Sequence, residues 1–128
     1  MDRRSVFALA LLYTLAIGTL SLISFSNFQR VEVEGADKMV HAAFHFVFTI
    51  IWYWYFIKSG IITSKLQIRV RVILMSILYG ALIEALQHML TTTRRADYLD
   101  LAANIAGACL AIVVLVIFEK FTASTAHK

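Results

Sequence analysis

At 128 residues the chain has the length of one domain, yet 60% of it is apolar, only 16% is charged and it contains no proline. Soluble domains are roughly 45–50% apolar, and a water-soluble domain this small could not hide so much apolar surface. The formal net charge of +4 is modest, and the basic residues are split among short segments and tails, which argues against a nucleic-acid partner.

Lipid can take the place of water as solvent, provided every backbone polar group is satisfied within its own segment. The apolar runs are too long for membrane strands. The expected fold is therefore all-α: a polytopic membrane protein, a four-transmembrane-helix bundle forming a single domain over 1–128. The first helix is predicted over about 6–25, long enough at about 1.5 Å per residue to span a hydrocarbon core of roughly 30 Å. Asp2, Arg3 and Arg4 precede it, as basic residues precede a signal peptide. The apolar stretch exceeds a signal core of roughly 7–15 residues and no A-x-A site follows, so a retained helix is expected. The second helix is predicted over 39–57. It carries His41 and His45, then Trp52, Tyr53, Trp54, Tyr55 and Phe56, an aromatic cluster expected at a membrane interface. The third, over 70–90, carries Gly80, Glu84, Gln87 and His88. The fourth, over 101–118, begins beside Asp97 and Asp100, where carboxylates complement the helix dipole. Cys109, the only cysteine, reads as a small packing residue. The tail after Lys120 is expected to be frayed and solvated.

Lysine and arginine set the expected orientation. With the N-terminus inside, the cytoplasmic segments hold Arg3, Arg4, Lys58, Lys65, Arg69, Arg71, Lys120 and Lys128. The outer segments hold Arg30, Lys38, Arg94 and Arg95. That asymmetry predicts both termini on the cytoplasmic side. On this topology the polar residues of helices two to four share one depth, in the outer leaflet. They also share faces: Asp37, His41 and His45; Gly80, Glu84, Gln87 and His88; Asp97, Asp100, Asn104, Gly107 and Ala111 each recur at three or four residues. Three such stripes would form a polar pocket open to the outside. Gly107 and Ala111 are small residues four apart, as close helix contact in lipid prefers. The polar stripes are expected to stop about halfway across, and helix one, with no charge in its span, to serve as scaffold.

The ordered set Asp37-Lys38-x-x-His41, Glu84-x-x-Gln87 and Arg95-x-Asp97-x-x-Asp100-x-x-x-Asn104-x-x-Gly107 resembles the VanZ-like integral membrane proteins. The resemblance runs from about Asp37 to Ala111 and extends to length and helix count. It implies a cell-membrane protein, and its named member is associated with low-level resistance to the lipid-tailed glycopeptide teicoplanin. It brings no established reaction, so its motif positions transfer as a site and not as catalytic roles.

The expected ligand-binding residues are Asp37, Lys38, His41, Glu84, Gln87, Arg94, Arg95, Asp97, Asp100 and Asn104. Lys38, Arg94 and Arg95 suit a phosphate or other anionic headgroup. The carboxylates and Asn104 suit the hydroxyl and amide donors of a lipid-linked sugar, peptide or glycopeptide. The competing readings are an enzyme with Glu84 or His41 as general base and Arg95 stabilising negative charge, a transporter, and a polar cluster that only holds the bundle together. A metal variant would use His41, His45, Glu84 and His88, but the basic component weighs against it. No metal or cofactor is expected. The lipid bilayer is the expected partner, and four short helices would bury more surface as a homodimer.

Overall fold

The computed structural model describes residues 1–22, 35–90 and 98–125. Among these the chain is all-helical: α1 (Arg3–Leu22), α2 (Ala36–Ser59), α3 (Lys65–Leu90) and α4 (Tyr98–Thr125). All four are long and apolar enough to cross a membrane. Every predicted run lies in its own helix, although residues 23–25 of the first fall outside the described residues.

Much of the surface is apolar. Leu12, Leu15, Leu74, Leu78, Leu110 and Phe118 are all more than half exposed. The buried faces instead carry His41, His45, Thr49, Ser76, Glu84, Gln87 and Asn104 beside Phe48, Ile17, Ile68 and Val72. Such a distribution is unfavourable in water, and it is what lipid requires, since polar side chains there must find partners inside the protein.

Contacts between helix ends fix the arrangement. The start of α2 meets the start of α4 through Lys38 and Asp100, and the end of α3 meets the end of α1 through Gln87 and Ser21. At the opposite end Phe7 of α1 packs on Tyr55 of α2, and Arg69 of α3 pairs with Glu119 of α4. Successive helices are thus antiparallel. The most extensive interface is α2 against α4, while α1 packs on α2 and α3 and does not touch α4. Gly107 explains the closeness of α2 and α4. A Cβ placed there would sit 2.1 Å from the Ala42 carbonyl oxygen, so the two backbones touch. Ala111, one turn on, is fully buried, as expected from the small-residue spacing.

Two expectations change, and the aromatic run, expected at a membrane interface, also packs inside the bundle. Trp52 and Tyr53 turn inward and are buried, whereas Trp54 is 52% exposed. Trp52 donates to Thr14 Oγ1 at 3.1 Å and packs against Phe7 and Phe48. At least this part of the aromatic run is core, because α1 covers it and supplies an acceptor for the indole N–H. The chain also stays helical past Lys120, to Thr125. No glycine or proline interrupts that stretch, and the Thr122 and Thr125 hydroxyls donate to the carbonyls of Phe118 and Phe121 one turn back. Finally, the polar stripe of α2 does not end halfway. Thr49 is fully buried and Tyr53 is 4% exposed, so Asp37, His41, His45, Thr49 and Tyr53 mark one face in steps of four.

Candidate functional site

The site lies where α2 and α4 begin and α3 ends. Asp37 and Lys38 occupy the first turn of α2, with His41 one turn deeper. Asp100 is in the first turn of α4, with Asn104 one turn deeper. Glu84 and Gln87 come from the last two turns of α3. Antiparallel packing brings these three ends to one depth, as the sequence spacing predicts.

At the centre, ligand-type atoms of His41, Glu84 and Asp100 all lie within 4.8 Å of one another. His41 and Glu84 are buried, at 8% and 6% exposure, and the Asp100 side chain is 13% exposed. Lys38 closes the mouth, its Nζ 3.3 Å from Asp100 Oδ1 and 3.3 Å from Asp37 Oδ2. The other oxygen of Asp100, Oδ2, stands 3.7 Å from His41 Nε2. His41 Nδ1 is 3.3 Å from Asn104 Oδ1, while Asn104 Nδ2 is buried without a hydrogen-bond partner among the described residues. Gly80 makes room for this amide: a Cβ there would lie 2.7 Å from Asn104 Nδ2 and 3.2 Å from His45 Cε1.

The expected residues separate into groups. Lys38, His41, Glu84, Asp100 and Asn104 converge. Asp37 sits at the rim with its side chain 56% exposed and reaches the cluster through Lys38. Gln87 is buried but donates to the Ser21 carbonyl at 2.7 Å, so it ties α3 to α1. Arg94, Arg95 and Asp97 lie outside the described residues. The metal set suggested by spacing is not assembled as such. His45 is turned to Ser76, with Nδ1 2.7 Å from Oγ, and His88 is exposed on α3. Asp100 instead stands beside His41 and Glu84. No family model matches the chain, no curated protein matches it, and no solved structure matches it.

Two further features border on function. Just below the site an apolar notch of about 280 Å³ runs along the α2–α4 seam, lined by Ala42, Ala43, Phe46, Ala106, Gly107 and Leu110. At the other end of the bundle Glu119 draws three helices together. It accepts from Arg69 at 2.8 Å and from the Tyr53 hydroxyl, and Lys65 stands 3.2 Å away. The sequence reading missed this cluster. Its signal is a single acid at the end of α4 facing basic residues that also set the expected orientation.

Proposed function

We propose that the protein is a VanZ-like multi-pass membrane protein with both termini in the cytoplasm. Its cluster at the starts of α2 and α4 then lies in the outer leaflet and binds an anionic lipid-linked or glycopeptide-type ligand. The observation that carries this reading is the convergence of Lys38, His41, Asp100 and Asn104 where α2 and α4 begin. A cation, Lys38, sits at the mouth of the cluster beside hydrogen-bonding carboxylates and an amide, and a separate apolar notch lies between the same two helices. A headgroup meets the first and a lipid tail fills the second. Lys38 gives a phosphate a point charge, and Arg94 and Arg95, close in sequence to Asp100, supply guanidinium groups suited to bidentate contact. Glu84, Asp100 and Asn104 accept from the hydroxyls or amides of the attached sugar or peptide. Holding such a molecule in the outer leaflet would change how a lipoglycopeptide reaches its target, which links this reading to glycopeptide resistance.

Native mass spectrometry of the protein, gently extracted from its own membranes, tests the proposal. A defined lipid-sized mass is expected on the parent and lost from Lys38→Ala and Arg95→Ala. Absence of any specific adduct, with both variants folded and as stable as the parent, would overturn it. Absence of an adduct with both variants unfolded would assign the cluster to holding the helices together.

A further inference from the structure

We propose that His41, Glu84 and Asp100 form a binding site for a divalent transition-metal ion, with zinc(II) the best fit. The three residues come from three helices, and their ligand-type atoms lie within 4.8 Å of one another. Tetrahedral zinc with bonds of about 2.0–2.2 Å holds its ligand atoms about 3.4 Å apart. The 3.7 Å between His41 Nε2 and Asp100 Oδ2 needs to close by only a few tenths of an ångström around such an ion.

The imidazole is set up for this role. Asn104 Oδ1 can only accept, so His41 Nδ1 carries the proton that points at it. In the neutral imidazole that tautomer leaves the Nε2 lone pair open to a metal. Nε2 belongs to a side chain about nine-tenths buried and is aimed at a carboxylate oxygen. In that tautomer Nε2 and Oδ2, 3.7 Å apart, are both acceptors, and a metal ion between them would satisfy both. A histidine that donates its second N–H to a neighbouring oxygen is the usual arrangement of a metal-bound imidazole, in which the partner fixes tautomer and orientation.

The carboxylates divide their work in the same way. Asp100 presents Oδ1 to Lys38 and Oδ2 to His41, which leaves one oxygen for the metal. Glu84 has a further interaction partner, and its two oxygens can serve a donor and a metal at once. One nitrogen and two oxygen ligands from the protein leave a fourth position open, as in zinc sites that take up water or an external ligand. Imidazole favours zinc over magnesium or calcium, which prefer an all-oxygen shell. The spacing of His41, His45 and His88 hid this site, because it suggested a histidine-rich set that the packing does not make.

The test uses the full chain without a histidine tag, in detergent, stripped with chelator and titrated with zinc(II) alone. One equivalent per chain is expected. Glu84→Gln and Asp100→Asn, which preserve side-chain volume, are each expected to weaken binding at least about tenfold, and His88→Ala to leave it unchanged. X-ray absorption fine structure on the zinc-loaded parent should count one imidazole among oxygen ligands, and this readout does not depend on any variant folding. A folded parent that takes up no stoichiometric zinc would overturn the proposal. So would two or more bound imidazoles, or loss of binding in His88→Ala. Zinc is the only ligand added, so failure here leaves the lipid-binding reading standing, and loss of the lipid adduct leaves the metal site standing.

Discussion

At the scale of single residues, the α2–α4 contact rests on the absence of one carbon atom. A Cβ on Gly107 would meet backbone, the Ala42 carbonyl 2.1 Å away, and backbone cannot turn aside as a flexible side chain would. Gly107→Ala is therefore expected to push the helices apart and lower the unfolding free energy by about 1–3 kcal/mol, the usual range for overpacking. Thermal or denaturant unfolding in detergent checks this. Cys109→Ala, at an exposed position two residues on, should stay within about 0.5 kcal/mol of the parent. Gly107 and Ala111 were legible because small residues four apart in an apolar helix have few other uses. Glu84, His41 and Asp100 were legible because an ionisable group in an apolar run needs a reason to be there. The pairings were not. His45 with Ser76, Gln87 with the Ser21 carbonyl and Trp52 with Thr14 depend on the rotation of each helix about its axis. Sequence spacing fixes a face relative to its own helix, not the neighbour it meets.

At the scale of helices, the end of the bundle opposite the candidate site depends on Glu119. Its carboxylate gathers Tyr53 from α2 and Lys65 and Arg69 from α3. The two cations do not contribute equally. The Arg69 side chain is 23% exposed and donates to Oε2 at 2.8 Å, whereas the Lys65 side chain is 56% exposed. Arg69→Ala should cost about 1.5–3 kcal/mol, the range for a hydrogen bond to a charged group, and Lys65→Ala less than about 1 kcal/mol, as for an exposed ion pair. Equal losses in equilibrium unfolding would mean that Glu119 is held by charge density alone and not by the guanidinium contact. The existence and order of the helices were legible because each apolar run is long and separately bounded. Their ends were not: Lys65–Arg69 and Glu119–Thr125 are helical although polar, because helix continues outside the apolar run wherever side chains find partners at the rim.

At the scale of the whole molecule, α4 carries a charged cluster near each end, at Asp100 and at Glu119. Nineteen residues at about 1.5 Å separate them by about 28 Å, close to the roughly 30 Å thickness of a hydrocarbon core. Between the two lies apolar packing around Phe48, Ile17 and Val72, and beyond His45 the buried face of α2 carries the hydroxyls of Thr49 and Tyr53 and the indole N–H of Trp52. Both clusters therefore fit the two headgroup levels, and the remaining question is which faces the cytoplasm. The Glu119 end gathers Arg3, Arg4, Lys58, Lys65, Arg69, Arg71 and Lys120 at the ends of the described helices, whereas the Asp100 end shows Lys38 among the described residues. The proposed topology, which follows the positive-inside rule, turns the first of these to the cytoplasm. A cysteine at Tyr98, where the native side chain is 80% exposed, should react with an impermeant thiol reagent on intact cells, in a background with Cys109 replaced. A cysteine at Lys65 should react only after the membrane is opened. The reverse pattern would place the polar cluster in the inner leaflet. A glycopeptide acting from outside could not then reach it, and the ligand would have to be sought among cytoplasmic-leaflet lipids.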